Sequence, residues 1–194
     1  MNKKNIWKPL FIILFLINII VIIGLAMLLF ISTDQEPIPK ITTSNTNDSE
    51  FVIQTSKKDL NKLINHYIEE EGLNGPVHYQ VLLTDEVELY GEIKVFSQTM
   101  QLKMTFEPIA LENGDLLLKQ KVLSLGDVKL PASYILKLIG DAYKFPEWVI
   151  LQPNDKEVYV ALNKMKLNSG ITVKAKSFDL VENNISMRMF VPVD

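Results

Sequence analysis

Residues Leu10 to Ile31 read LFIILFLINIIVIIGLAMLLFI, an apolar run interrupted only by Asn18 and Gly24. About 20 apolar residues rising 1.5 Å each cover the ~30 Å hydrocarbon core of a bilayer, so this run is long enough to cross one as a helix. Lys3, Lys4 and Lys8 precede it, and Asp34 and Glu36 follow it. The positive-inside bias therefore predicts a cytoplasmic N-terminus at residues 1–9 and an extracellular C-terminal part. A cleaved secretory signal would carry an apolar core of about 7–15 residues with small residues at its exit. The exit here, LLFISTDQEP, has no such pattern, and there is no cysteine to acylate. The sequence thus predicts an uncleaved single-pass anchor in the cell membrane over residues 10–31.

All 23 acidic residues lie beyond Thr33, against 17 basic ones, a net charge of −6 for that part. This balance argues against nucleic acid or an anionic surface as the main partner. The absence of cysteine excludes disulfides, thiolate catalysis and cysteine-ligated metal sites. Residues 32–50 are polar, with two prolines and few large apolar side chains, and read as a flexible linker. Fully extended, a linker of that kind reaches roughly 50 Å from the bilayer. Residues 51–194 form one ordinary domain, long enough to bury a core without covalent staples.

Within that domain, Phe51 to Thr55 predicts a short strand leading into a helix. Ser56 with Asp59 three residues on has capping-box spacing. Leu60, Leu63, Ile64, Tyr67 and Ile68 follow at helical intervals as one apolar stripe. Gly72 and Asn74-Gly75-Pro76 then turn the chain. Period-two alternation takes over: Val77, Tyr79, Val81 and Leu83; Val87, Leu89, Ile93 and Val95; Met100, Leu102, Met104 and Phe106. Leu116 to Leu125 adds a further strand after Asn113-Gly114-Asp115. Pro131 opens a second helix whose buried stripe is Tyr134, Ile135, Leu138 and Ile139. Strands resume at Trp148–Leu151, Glu157–Leu162, Ile171–Leu180 and Ile185–Val191. This order predicts an α+β class: curved antiparallel sheet(s) packed on two helices and preceded by one transmembrane helix.

No catalytic constellation emerges. The two histidines, His66 and His78, have no second ligand at metal-like spacing and read as surface or rim residues. Glu69, Glu70 and Glu71 read as a solvated charge run at a helix end. There is no Gly-x-Ser-x-Gly elbow, phosphate-cradling loop or dinucleotide fingerprint. The sequence therefore nominates no catalytic residue, no metal and no cofactor.

The dry face of the sheet carries more chemistry. Met100, Leu102, Met104 and Phe106 on one strand, and Met187 and Met189 on the last, are large and flexible side chains at alternating positions. Methionine adapts to irregular apolar shapes, so a concavity lined this way suits acyl chains. The competing expectation is that these residues simply pack beneath the helices. With the membrane as one partner, the sequence favours a lipid or lipid-linked envelope precursor as ligand. A cell-envelope scaffolding module that regulates a partner enzyme is the alternative.

The phrases VLSLGDVKLP at 122–131, PEWVILQP at 146–153 and SFDLVENNISMRMFVP at 177–192 accompany the N-terminal anchor and the Phe51 to Ile68 strand-helix entry. In these the chain resembles the YpmS family of Firmicutes, single-pass extracytoplasmic proteins of unassigned function. The resemblance implies a low-GC Gram-positive source and an envelope location. It carries over no functional residues.

Overall fold

The computed structural model describes residues 7–30, 36–38, 48–70, 79–95, 98–126, 131–142, 145–165, 167 and 170–193. The turn expected at Gly72 to Pro76, together with His78, lies outside them. The chain divides into two compact units, residues 1–33 and 34–194.

The first unit is helix α1, Trp7–Phe30. Its window Leu10–Met27 has a mean hydropathy of 3.1 and is not buried against protein, so the helix is long and apolar enough to cross a membrane. Asn18, its one amide, donates to the Leu14 carbonyl at 3.0 Å, which satisfies the polar group inside the helix itself.

The second unit contains nine strands, two α-helices and a short 3-10 helix, Leu162–Lys164, among its described residues. In chain order these are β1 (Ser49–Thr55), α2 (Lys57–Glu70), β2 (Tyr79–Leu83), β3 (Val87–Val95), β4 (Gln98–Ala110) and β5 (Leu116–Leu125). Helix α3 (Ala132–Ala142), β6 (Val149–Gln152), β7 (Glu157–Val160), β8 (Thr172–Asp179) and β9 (Asn184–Val191) follow. All pairings are antiparallel. One sheet has six strands in the order β2-β3-β4-β5-β7-β6; the other has three, β1-β9-β8. The α+β class expected from the sequence is the one observed.

Helix α2 begins with the capping pair. Ser56 Oγ accepts the Asp59 N–H at 3.2 Å and its hydroxyl lies 2.8 Å from the Asp59 carboxylate. The helix is rotated from the position its apolar stripe alone would choose. Asn61 and Asn65 both bond to β2, an edge of the larger sheet, and this swings Leu63 outward to 63% exposure. Ile68 stays buried, while Leu60 and Ile64 pack against the core. On the other side of the helix, the Tyr67 ring meets that of Trp148, just before β6 at the opposite sheet edge, with centroids 5.9 Å apart. One helix thus touches elements at both ends of the six-stranded order, which requires the sheet to curve around it.

Two β-bulges keep the core side in phase. Leu116 and Leu118 share a parity opposite to that of Leu123 and Leu125, so a regular strand would turn one pair away. The register between β4 and β5 shifts at Thr105/Phe106, where Thr105 faces Val122 and Phe106 faces Gln120. Lys121 is the extra residue, and both leucine pairs therefore face inward. In β8 the same device at Lys176 aligns Ala175 with Phe178 and Leu180.

The core lies between the concave face of the larger sheet and α2, α3 and the smaller sheet. Ile135, Leu136 and Ile139 of α3, Leu180 and Ile185 of the smaller sheet, and Leu83, Leu125 and Val158 of the larger one belong to it. Leu136 is more deeply buried than the expected stripe members Tyr134 and Leu138, which are half-buried. The outer face is not wet throughout. At its β5-β7-β6 end, Ile150, Tyr159 and Ala161 form a satellite cluster with Leu117 and Trp148.

Candidate apolar ligand site

The six side chains nominated from the sequence do not share one environment. Leu102, Met104 and Phe106 are fully interior, with Met104 at 0% exposure, and they sit among Leu83, Val87, Leu125 and the α3 residues. The alternation in β4 places them there, and tight interior packing leaves them no surface to offer. Met100 and Met187 are half-buried and pack against the same cluster. Met189 is half-buried on β9 and is not part of that cluster.

The smaller sheet brings Met187 and Met189 together with residues the sequence reading had not nominated. Register places Phe51 opposite Met189 opposite Val173, and Ile53 opposite Met187 opposite Ala175. Cross-strand partners share a face, so these six make two apolar rows. The Ile53 row runs from the interior to the surface, and the Phe51 row beside it is half-buried at Met189 and Val173. Ala175 is 2% exposed at the β8 end, whereas Ile53 and Phe51 are 42% and 51% exposed at the β1 end. The result is an apolar ramp that is continuous with the core and open at β1. The signal for it was present as the Phe51/Ile53 alternation, but nothing local announces that β1 pairs with β9.

The titratable clusters are internally satisfied. Asp115, 1% exposed, accepts the Tyr159 hydroxyl at 2.5 Å and the Asn113 amide at 2.9 Å through Oδ2, and the Asn163 N–H at 3.3 Å through Oδ1. Burial first, and then the bond to Asp115, push the Tyr159 phenol up to about 12. Such an arrangement anchors the β4–β5 turn to β7 around a carboxylate that is 1% exposed. On the outer face, Glu88 accepts from the Tyr90 hydroxyl and from Thr84 Oγ1, and it lies 3.4 Å from Lys103 Nζ. The Tyr90 bond chiefly holds its carboxyl below the usual range. Among the described residues no group of three or more His, Asp or Glu side chains could hold a metal ion. His66 is exposed on α2.

A family model described as an uncharacterized protein conserved in bacteria, DUF2140, matches residues 5–191. The uncharacterized protein YpmS of Bacillus subtilis (strain 168) is 31% identical over 192 residues, covering 99% of both chains. No solved structure matches. The match spans the apolar helix through β9, and the chain therefore belongs to the DUF2140 family.

Proposed function

We propose that this protein is a single-pass, N-terminally anchored envelope protein whose extracytoplasmic domain, from residue 51 onward, binds a hydrophobic ligand on the apolar ramp. The supporting observation is the gradient along Ile53–Met187–Ala175, which joins a solvent-open edge to the buried core, with the half-buried Met189 and Val173 continuing the exposed Phe51 beside it. Two adaptable methionines lie at the middle of those two rows. The ligand class is a lipid or a lipid-linked envelope precursor. Binding is passive, with each acyl methylene that leaves water contributing about 0.8 kcal/mol. In this reading Leu102, Met104 and Phe106 form the floor against which the ramp is built, and Met100, Met187 and Met189 meet the ligand. No catalytic group takes part.

The test is native mass spectrometry of the full chain released from nanodiscs, with a diazirine-bearing fatty-acyl lipid as probe. Retained lipid and cross-links mapping to β1 and β9 are expected. A lipid-free protein whose cross-links fall only within α1 overturns the reading.

A second reading, a scaffolding module for an envelope enzyme, is favoured by one observation. β1 is the end strand of its sheet and exposes Val52 as well as Phe51 and Ile53, so apolar side chains emerge from both of its faces. A stable co-purifying enzyme that protects β1 from labelling would favour it over lipid binding.

A further inference from the structure

The two sheets end in four edge strands, β2, β6, β8 and β1, and among the described residues the first three carry devices that discourage pairing. At β2, the side chains of Asn61 and Asn65 bond to the backbone of Leu83 and Val81. β6 has only four residues, and two of them are buried. β8 carries a bulge at Lys176, and its Ala175 N–H donates to the Gly114 carbonyl at 2.6 Å. β1 has none of these. It pairs with β9 over seven residues without a register shift, contains no proline or cation, and is exposed throughout residues 50–54. A regular, uncovered edge of that kind is a template for another strand.

The order of its residues says which strand fits. SEFVIQT has the same character read from either end: hydroxyl, acid or amide, large apolar, then Val52 at the centre. Laid antiparallel on a second copy about Val52, it sets Ser49 against Thr55, Glu50 against Gln54 and Phe51 against Ile53. Val52 meets itself. Hydroxyl pairs and aromatic–β-branched pairs stabilise antiparallel neighbours, and no like charges stand opposite each other. Neighbouring registers lose this match. Centred on Phe51, the carboxylate of Glu50 would face Val52, and centred on Ile53, Val52 would face Gln54. Parallel pairing in register would bring the two Glu50 carboxylates side by side.

We propose that β1 is a homodimer edge: two copies of this chain pair antiparallel through β1 about a two-fold axis at Val52, joining their three-stranded sheets into one continuous sheet. Opposed residues share a face, so Phe51 and Ile53 of each copy extend the apolar rows of the other. The proposal rests on the edge strand and needs no lipid ligand.

The chain has no cysteine, so each single-cysteine variant of the full chain reports one position. Facing Cα atoms in an antiparallel pair are about 4.5–5.5 Å apart, within disulfide reach, so V52C can bond to itself across the axis. The two Ser49 residues would lie about 20 Å apart along the pair. In proteoliposomes oxidised with copper–phenanthroline, V52C is expected to give roughly five times the cross-linked dimer of S49C. The same excess is expected over V181C, a control in the turn before β9 where Val181 is 68% exposed. S49C mixed with T55C should recover the dimer. Equal cross-linking of V52C and S49C overturns the proposal, as does V52C dimer no greater than that of V181C. So does a different protein that shields Val52 from thiol labelling without a V52C–V52C bond. V52K gives an answer that needs no cysteine, because it sets two lysines face to face. The detergent-solubilised chain should then shift from dimer to monomer by size-exclusion light scattering, and mixing V52K with V52E should restore the dimer. A monomeric wild type, or a V52K dimer like that of wild type, overturns it.

Discussion

Asn61 pairs with Leu83 as a neighbouring strand would. Its Oδ1 accepts the Leu83 N–H at 2.7 Å while its Nδ2 donates to the Leu83 carbonyl at 3.0 Å. A helix side chain thereby closes both backbone valences of an edge residue, which blunts an edge that could otherwise recruit another strand. Asn65 adds one bond to the Val81 carbonyl at 3.1 Å and spends its other contact on the Asn61 carbonyl of its own helix.

Replacing Asn61 therefore leaves a donor and an acceptor of a buried residue unpaired. Asn61→Ala is expected to destabilise the domain by about 2 kcal/mol, and Asn65→Ala by about half that, since an unmet buried group costs roughly 1–3 kcal/mol. Urea denaturation of the two variants checks the ranking. Equal losses would mean that the edge bonds are not what the asparagines contribute.

Gly114 and Gly126 both have positive φ, yet they should tolerate alanine differently. At Gly114, φ is +90° and an added Cβ would sit 2.5 Å from Lys174 Cβ, an atom that cannot swing away. The Gly114 carbonyl also accepts the Ala175 N–H at 2.6 Å, tying the β4–β5 turn to β8. At Gly126, φ is +51°, and the nearest atom is the flexible Met100 Cε at 3.2 Å. Gly126→Ala should cost about 1 kcal/mol, the usual left-handed penalty. Gly114→Ala should cost clearly more, because the turn or β8 must move. Paired thermal melts decide between the two.

These relationships show where the sequence was readable. The β4 alternation placed Leu102, Met104 and Phe106 correctly on the dry face, because period two directly reports sidedness in a regular strand. The same rule does not carry through β5, where a bulge at Lys121 reverses the parity, and bulges leave no reliable mark in composition. Helix α2 was legible as a helix, but its rotation was not. An apolar stripe assumes that hydrophobic burial alone sets the facing side, whereas two asparagine side chains captured by β2 turn Leu63 outward. Phe51 and Met189 come from opposite ends of the domain, and their meeting is a matter of topology. The candidate site depends on that meeting, so only Met187 and Met189 of its six residues were nominated from the sequence.

Tyr159 should make stability fall at alkaline pH. Its phenol titrates near 10 in the unfolded chain and at about 12 in the fold, so between those values the folded state keeps a proton that the unfolded state has lost. The contribution is therefore complete below pH 10 and declines as pH rises toward 12, by no more than about 1.4 kcal/mol per pH unit for one proton. Tyr159→Phe removes this slope. It also costs about 1.5–3 kcal/mol at neutral pH, because Asp115 loses its hydroxyl donor. Denaturation curves at several pH values between 8 and 12 should therefore bring wild type and variant closer together; parallel curves would count against the shift.

Met104 and Met189 separate packing from ligand contact on the same apolar surface. Met104 has no exposed area and is enclosed by the core, so Met104→Ala should cost about 3 kcal/mol, as methionine truncations in packed interiors do. Met189 lies half-buried between Phe51 and Val173 with solvent beyond β1, so the sheet can relax around a truncation and the loss should stay below about 1 kcal/mol. If the ramp holds an acyl chain, the ranking reverses for ligand. Met189→Ala removes a contact that lipid makes directly, whereas Met104→Ala, where it still folds, leaves the ramp surface in place. Denaturation together with lipid retention in native mass spectra reads both quantities from one preparation. Unchanged retention in Met189→Ala, with Phe51→Ala equally silent, would mean that the ramp is only the exposed border of a filled core.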